Sequence, residues 1–344
     1  MNDTFLRVCA GEKTDYRPVW LMRQAGRYLP EYQKVRAKVD FLTLCKTPEL
    51  AAEVTIQPVD ILKVDAAILF SDILVPIEPM GMQLEFSELK GPVFHNPIRT
   101  ESAIGNLRRI KPYEDVPYVL ETIRLLKQSL KVPLIGFSGA PFTLATYMIE
   151  GGSSRNFIHT KRMMYQAPAL FASLMTMVSD VVIDYLKAQI AAGVDAVQIF
   201  DSWVGALSPH DFDIFALPLV QRIIRELRTC QRTVPIIYFA FNSSGMLDRV
   251  KSAGADVYGL DWRIDMADAV DHLDRNHVVQ GNFDPCALFG TRDSIYTEVK
   301  RIIEGGRYAP GHIFNLGHGI LPETPVESAQ AMVNAVHEIS SKPF

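Results

Sequence analysis

Residues 18–32 read PVWLMRQAGRYLPEY, and the rest of the chain is best read outward from them. Val19 to Met22 make a short apolar run of the kind that forms a buried strand. The run stops at Arg23, and Arg27 follows across an Ala-Gly step that closes on Leu29-Pro30. A strand that ends in arginine aims a permanently charged guanidinium at whatever lies beyond its C-terminal end. An open doubly wound sheet would usually carry a glycine-rich phosphate loop in this place, yet neither GxGxxG nor GxxxxGKS/T occurs anywhere in the chain.

Seven more apolar runs follow: AAILF (66–70), PLIGF (133–137), AVQIF (196–200), PIIYF (235–239), VYGLD (257–261), VVQGN (278–282) and HIFNL (312–316). Each follows a turn signal such as Pro, Gly-Val-Asp or Gly-Ala-Asp, and helix-like segments fill the intervals, the pattern of a parallel sheet with crossover helices. TPELAAEVTIQPVDIL (47–62) predicts a helix with a Thr cap and Pro in its first turn. Residues 161–192 predict two helices broken at QAPAL. Eight such units predict a (β/α)₈ TIM barrel, a single domain over residues 1–344 with an N-terminal extension of about 15 residues. Residues 74–112 are too long for a simple βα loop and predict a loop or small hairpin near the barrel mouth.

The 344 residues are 48% hydrophobic and 22% charged, an ordinary globular composition. A net charge of −4 provides no basic field for nucleic acid, so anion-binding arginines must act as a local cluster. Cys9, Cys45, Cys230 and Cys286 lie far apart with no ligand spacing, and His272 and His277 are five residues apart, which separates their rings on a helix. No metal site is therefore expected. The N-terminus lacks the apolar segment of a signal peptide, and no run of about 20 apolar residues is evident, so a soluble cytoplasmic protein is expected, without membrane partners.

Barrel enzymes place their chemistry at the C-terminal ends of the strands. The residues there are Arg23 and Arg27, Asp72, Tyr147, Asp201 and Ser202, and His318, with Asn242, Asp261 and Asn282 in similar places. Arginine at a strand end is often a surface ion pair, and Asp72 could simply cap a helix. A histidine between two glycines, however, is unlike a packed core residue and can sit close to a ligand. Asn242, Asp261 and Asn282 are read as bonding to neighbouring loop backbone.

PVWLMRQAGRYLPEY, LFSDILV, GFSGAPFTLATYMIEGGSS and FNLGHGI, in this order between about residues 5 and 340, resemble the uroporphyrinogen decarboxylase family. RQAGRYLPEY is the most specific of them. The resemblance implies a (β/α)₈ barrel, a homodimer with facing clefts, no cofactor, and conversion of four acetate arms of uroporphyrinogen to methyl groups with release of four CO₂. By position it implies that Arg23, Gln24, Ala25, Gly26 and Arg27 form a substrate-binding loop and that Asp72 faces the pyrrole nitrogens. It further implies that Arg36, Tyr147, Ser202 and His318 contact substrate. The sequence around Ser202, FDSW, departs from the family pattern.

These residue types suit that chemistry. Guanidinium groups bind carboxylates bidentately and stay charged at any working pH, which an octacarboxylate substrate requires. A protonated pyrrole can accept the electrons that departing CO₂ leaves behind, and a carboxylate aimed at its N–H groups would stabilise that cation. Asp72 is the candidate for this role, while Arg23, His318 and a water held by Tyr147 remain open as the proton source. Two alternatives compete: a zinc- and corrinoid-dependent methyltransferase on the same barrel, which would want a His/Cys ligand set, and a non-catalytic tetrapyrrole carrier, which would have no use for Asp72.

Overall fold

The computed structural model describes residues 2–87 and 91–341. Seven parallel strands form one sheet: β1 (Ala67–Ile68), β4 (Leu134–Gly139), β5 (Ala196–Asp201), β6 (Ile236–Ala240), β7 (Val257–Gly259), β8 (Val278–Phe283) and β9 (His312–Leu316). A short antiparallel pair, β2 (Leu84–Ser87) and β3 (Gly91–Phe94), lies apart from it. Each sheet strand falls on one of the predicted apolar runs, and all their residues but Phe200 are buried, as strands covered on both faces must be.

The eighth run closes the curled sheet. Val19 makes a parallel bridge to Phe314, Phe314 N–H donates to the Pro18 carbonyl (2.8 Å), and on the other side Asp65 N–H donates to the Val19 carbonyl (2.8 Å). Trp20 N–H donates to the Phe314 carbonyl (3.3 Å), Ile320 N–H donates to the Met22 carbonyl (2.9 Å), and side chains accept three more N–H groups. The Asp65 carboxylate accepts Val19 N–H (2.9 Å), the Asn315 carbonyl Oδ1 accepts Met22 N–H (3.0 Å), and Gln24 Oε1 accepts Leu21 N–H (3.0 Å). Backbone bonds to both neighbours, supplemented by three side-chain acceptors, thus hold the first strand, and the (β/α)₈ barrel closes through it.

Inside the barrel, Trp20 Nε1–H donates to Gln280 (2.9 Å) and Gln280 donates to Gln198 (3.0 Å), a fully buried polar chain across strands distant in sequence. Below the strands, the N-terminal helix Thr4–Cys9 and the residues around it contact chain just ahead of β4 and β9. Asp65, 5% exposed, gathers that end: besides Val19 it accepts from Tyr16 (2.8 Å) and Asn2 (3.1 Å) and bonds His337 (2.7 Å) of the C-terminal helix Val326–Ser340.

The predicted break at QAPAL is present, separating helices Ile158–Gln166 and Pro168–Ala192. The second has the length and apolar composition to cross a membrane, contrary to the expectation that nothing approached one. Its Phe171, Leu174, Val178, Val182, Leu186 and Ile190 are instead buried against the barrel, and it packs on β4, so it serves as a core helix. The helix Pro48–Leu62 starts where predicted, but Thr47 does not cap it with its side chain; the hydroxyl turns back to donate to the Thr43 carbonyl (2.8 Å). The excursion 74–112 contains the β2–β3 hairpin. It is stitched to the helix Pro141–Glu150 by Ile98 N–H to the Met148 carbonyl and by Phe94 N–H to the carbonyl of Gly151, just past its end.

Candidate active site

Arg23 occupies the left-handed region (φ 61°), which costs a non-glycine residue about 1–2 kcal/mol and persists only where neighbours impose it. Gln24 is one such neighbour. It is fully buried: its Nε2 donates to the Ala66 carbonyl (3.2 Å), its N–H to the Leu21 carbonyl (3.0 Å), and its own carbonyl accepts Tyr28 O–H (2.8 Å). Gln24 therefore fastens the arginine loop to the start of β1, with its side chain directed inward. Ala25 and Gly26 are half-buried on the same loop, and Arg23 and Arg27 are exposed without a salt bridge among the described residues.

The loop after β9 presses on Arg23 from above. A Cβ on Gly319 would lie 2.4 Å from Arg23 Cδ, and one on Gly317 would lie 2.6 Å from Trp262 N. The two glycines flanking His318 thus admit parts of the chain itself, where the sequence had suggested close approach of a ligand. His318 Nδ1 accepts Gly319 N–H (2.7 Å), and its ring meets Phe241 edge-on at 4.6 Å. Burial, reinforced by the positive charges of Arg23 and Arg263, pushes the imidazole down to about 4. At neutral pH it is uncharged, with Nδ1 already accepting, so Nε2 carries the proton and can donate to an anion.

Asp72 follows β1. One carboxylate oxygen accepts Leu74 N–H (2.8 Å), and no salt bridge forms to it among the described residues. Burial raises its pKa above the ordinary carboxylate value, with the Leu74 N–H and the charge of Arg23 pulling the other way. Tyr147, on the helix after β4, is raised first by burial and then by the Asp72 charge, and Arg23 opposes this. Arg23, Asp72, Tyr147 and His318 thus lie within electrostatic reach through Arg23. Arg36 stands at the end of the helix Pro30–Arg36, its Nη1 donating to the Val39 carbonyl (2.5 Å), and lines a cavity of about 670 Å³ between residues 36–42 and β2.

Ser202 sits half-buried on the turn after β5. Its neighbours are fixed by Asp201, which accepts from Thr143 (2.7 Å) and Tyr238 (2.9 Å), while Thr143 Oγ1 accepts Trp203 N–H (3.1 Å). Burial pushes Asp201 up to about 6. This carboxylate ties the helix bearing Tyr147 to the loop bearing Ser202, and Trp203 packs on both Tyr147 (5.6 Å) and Phe157 (5.4 Å). Asp261 and Asn282 do bond loop backbone as expected: Asp261 accepts Asn242 N–H (2.5 Å) and Arg263 N–H (2.8 Å), and Asn282 donates to the Asp261 carbonyl (3.0 Å); Asn242 enters this network through its backbone N–H.

Arg263 was not anticipated. It lies two residues past the end of the VYGLD run, and reading only the residue that ends the run leaves it out. Its guanidinium stacks on Trp262 (4.3 Å) and Phe241 (4.7 Å).

A barrel mouth with exposed guanidiniums beside a half-buried carboxylate suits an enzyme for an anionic substrate. Residues 1–339 match the family described as Uroporphyrinogen decarboxylase (URO-D). Uroporphyrinogen decarboxylase of Geobacter sulfurreducens is 54% identical over 99% of this chain and 100% of its own length, and that of Geotalea uraniireducens is 56% identical with the same coverage. The Carboxydothermus hydrogenoformans enzyme is 54% identical over 100% of this chain and 98% of its own. The chain belongs to the uroporphyrinogen decarboxylase family. Among solved structures, a methyltransferase from Methanosarcina mazei has a similar fold, with a TM-score of 0.77, 19% identity and 98% coverage of both chains. A B12-independent methionine synthase from Shewanella follows at 0.59, with 10% identity, covering 88% of this chain and 91% of its own.

Proposed function

We propose that this chain converts uroporphyrinogen III to coproporphyrinogen III by removing the carboxyl groups of its four acetate arms, without a cofactor, in the cytoplasm. The observation that carries the reading is Asp72, a half-buried carboxylate with no salt bridge among the described residues, placed within reach of the Arg23 charge. Partial desolvation disfavours its ionised form in the empty protein, and a cation formed against it would be stabilised.

Each cycle begins with a proton added to the pyrrole carbon next to the one bearing an acetate arm, which makes the ring an iminium cation. The bond between the arm's methylene and its carboxylate then breaks, CO₂ leaves, and the electron pair enters the ring and neutralises the cation. A proton adds to the resulting methylene, and the ring carbon gives up its extra proton, restoring the pyrrole. The net change per arm is one proton consumed and one CO₂ released. Asp72 accepts hydrogen bonds from the pyrrole N–H groups and stabilises the cationic stage, and Arg23, Arg27 and Arg36 hold the carboxylate arms. Tyr147, Ser202 and His318 contact the macrocycle, His318 as a neutral donor through Nε2–H.

The active form is a homodimer with facing mouths, which keeps water from a cleft wide enough for a macrocycle. Anaerobic incubation with uroporphyrinogen should yield coproporphyrinogen and four equivalents of CO₂. A protein that binds the substrate and releases none would be a carrier. Sedimentation should give about twice the 38.6 kDa chain mass, and a fully active monomer would overturn the dimer.

A further inference from the structure

We propose that Arg263 is a fourth guanidinium anchor for the substrate, receiving a carboxylate arm on the side of the macrocycle remote from Asp72. The inference rests on the decarboxylase reading above, and four features of the mouth carry it. The first is position. Counting round the closed barrel from the segment at Val19, Asp72 follows the second strand and Arg263 the sixth, on opposite sides of the ring. The arginine loop and Arg36 lie between the first and second strands, so they leave the far wall without a cation of their own.

The second is pre-organisation. The Arg263 guanidinium lies over the faces of Trp262 (4.3 Å) and Phe241 (4.7 Å), and a flat cation held by its faces keeps its N–H edges available for a bidentate partner. The third is incomplete neutralisation. Its nearest carboxylate oxygen, Asp261 Oδ1, is 3.5 Å away, and both Asp261 oxygens already accept backbone N–H groups, from Arg263 and Asn242. The side chain is 40% exposed, open to an incoming arm. The fourth is direction. Phe241 carries Arg263 and also touches the His318 ring (4.6 Å), and the imidazole feels the charges of Arg23 and Arg263 together. Both arginines therefore face the same space.

Arg263→Met keeps a long apolar side chain against Trp262 and Phe241 and removes the charge. KM for uroporphyrinogen should rise by about tenfold, the size of one partly solvated charge-assisted contact, with kcat within about threefold of the parent. Arg263→Lys should restore part of the loss. A purely structural role would lower thermal stability in the Met variant and leave the salt dependence of binding alone; an anchoring role should flatten the salt dependence and spare the melting temperature.

Titration with uroporphyrin, the stable oxidised macrocycle with the same eight carboxylates, reads the contact without turnover. Equal affinity of parent and Arg263→Met for uroporphyrin, at unchanged KM, would overturn the proposal while leaving the decarboxylase reading intact. Absent turnover in the parent would overturn that reading, and the titration would still decide whether Arg263 holds a carboxylate.

Discussion

Replacing Asp72 by asparagine should separate catalysis from stability. The side chain keeps its shape and can still accept N–H groups through its amide oxygen, but the charge is gone. At a separation of about 4 Å and an effective dielectric of about 20, the attraction between one carboxylate and the pyrrole cation is about 4 kcal/mol. Lost only in the transition state, that energy lowers kcat about a thousandfold and changes KM little. The empty protein should respond in the opposite sense. Burial raises the Asp72 pKa, so the folded state disfavours the ionised form; stability is greatest where the group is protonated and is lost as pH rises through the raised pKa. At neutral pH the neutral amide should therefore raise the melting temperature. The assay pairs anaerobic turnover with thermal unfolding at pH 7.5. A kcat within tenfold of the parent would refute the electrostatic role, and a fall in melting temperature matching the loss of activity would show that the substitution merely damaged the fold. The parent's kcat/KM, which reports the free enzyme, should also fall in mild acid, at a pH above the ordinary aspartate pKa of about 3.9, and this limb should vanish in Asp72→Asn.

Three other outcomes follow from geometry already described. Gly319→Ala would put a methyl group 2.4 Å from Arg23 Cδ; because that side chain can swing away, stability should change little while KM rises several-fold, as steady-state kinetics beside a melting curve would show. Asp65→Ala removes the acceptor shared by Val19, Tyr16, Asn2 and His337 and should cost about 3–5 kcal/mol, measured by denaturant unfolding. His318, pushed down to about 4, should show the neutral Nε2–H tautomer by nitrogen NMR at pH 5.5, and a charged imidazole there would contradict the combined effect of desolvation and the Arg23 and Arg263 charges.

The barrel was legible because each strand is a short apolar run between turn signals, and such runs mark buried parallel strands whatever their partners are. The same reasoning reached the strand ends, and with them Arg23, Asp72 and His318, since that is where a barrel displays its chemistry. What stayed hidden depends on contacts between distant parts of the chain. Nothing local marks Gln24 as a buried brace, because its partner at Ala66 is 42 residues away. The Thr47 hydroxyl had a competing acceptor at Thr43 that a capping pattern does not reveal. Arg263 became visible only when Phe241, just past the end of another strand, supplied the second ring beneath it.

The manner in which the barrel closes has a consequence for a chain made from its N-terminus. Met22, next to Arg23, leans on Asn315, 293 residues later, and Gly319 must arrive before Arg23 has its resting surface. During synthesis the arginine loop is therefore written first and positioned last. Until the final strand emerges, the growing chain carries its anion-binding residues without the geometry that makes them bind. A ribosome-bound intermediate ending before His312 should have no organised cleft for a polycarboxylate, so the capacity to hold substrate is acquired in the same step that completes the fold.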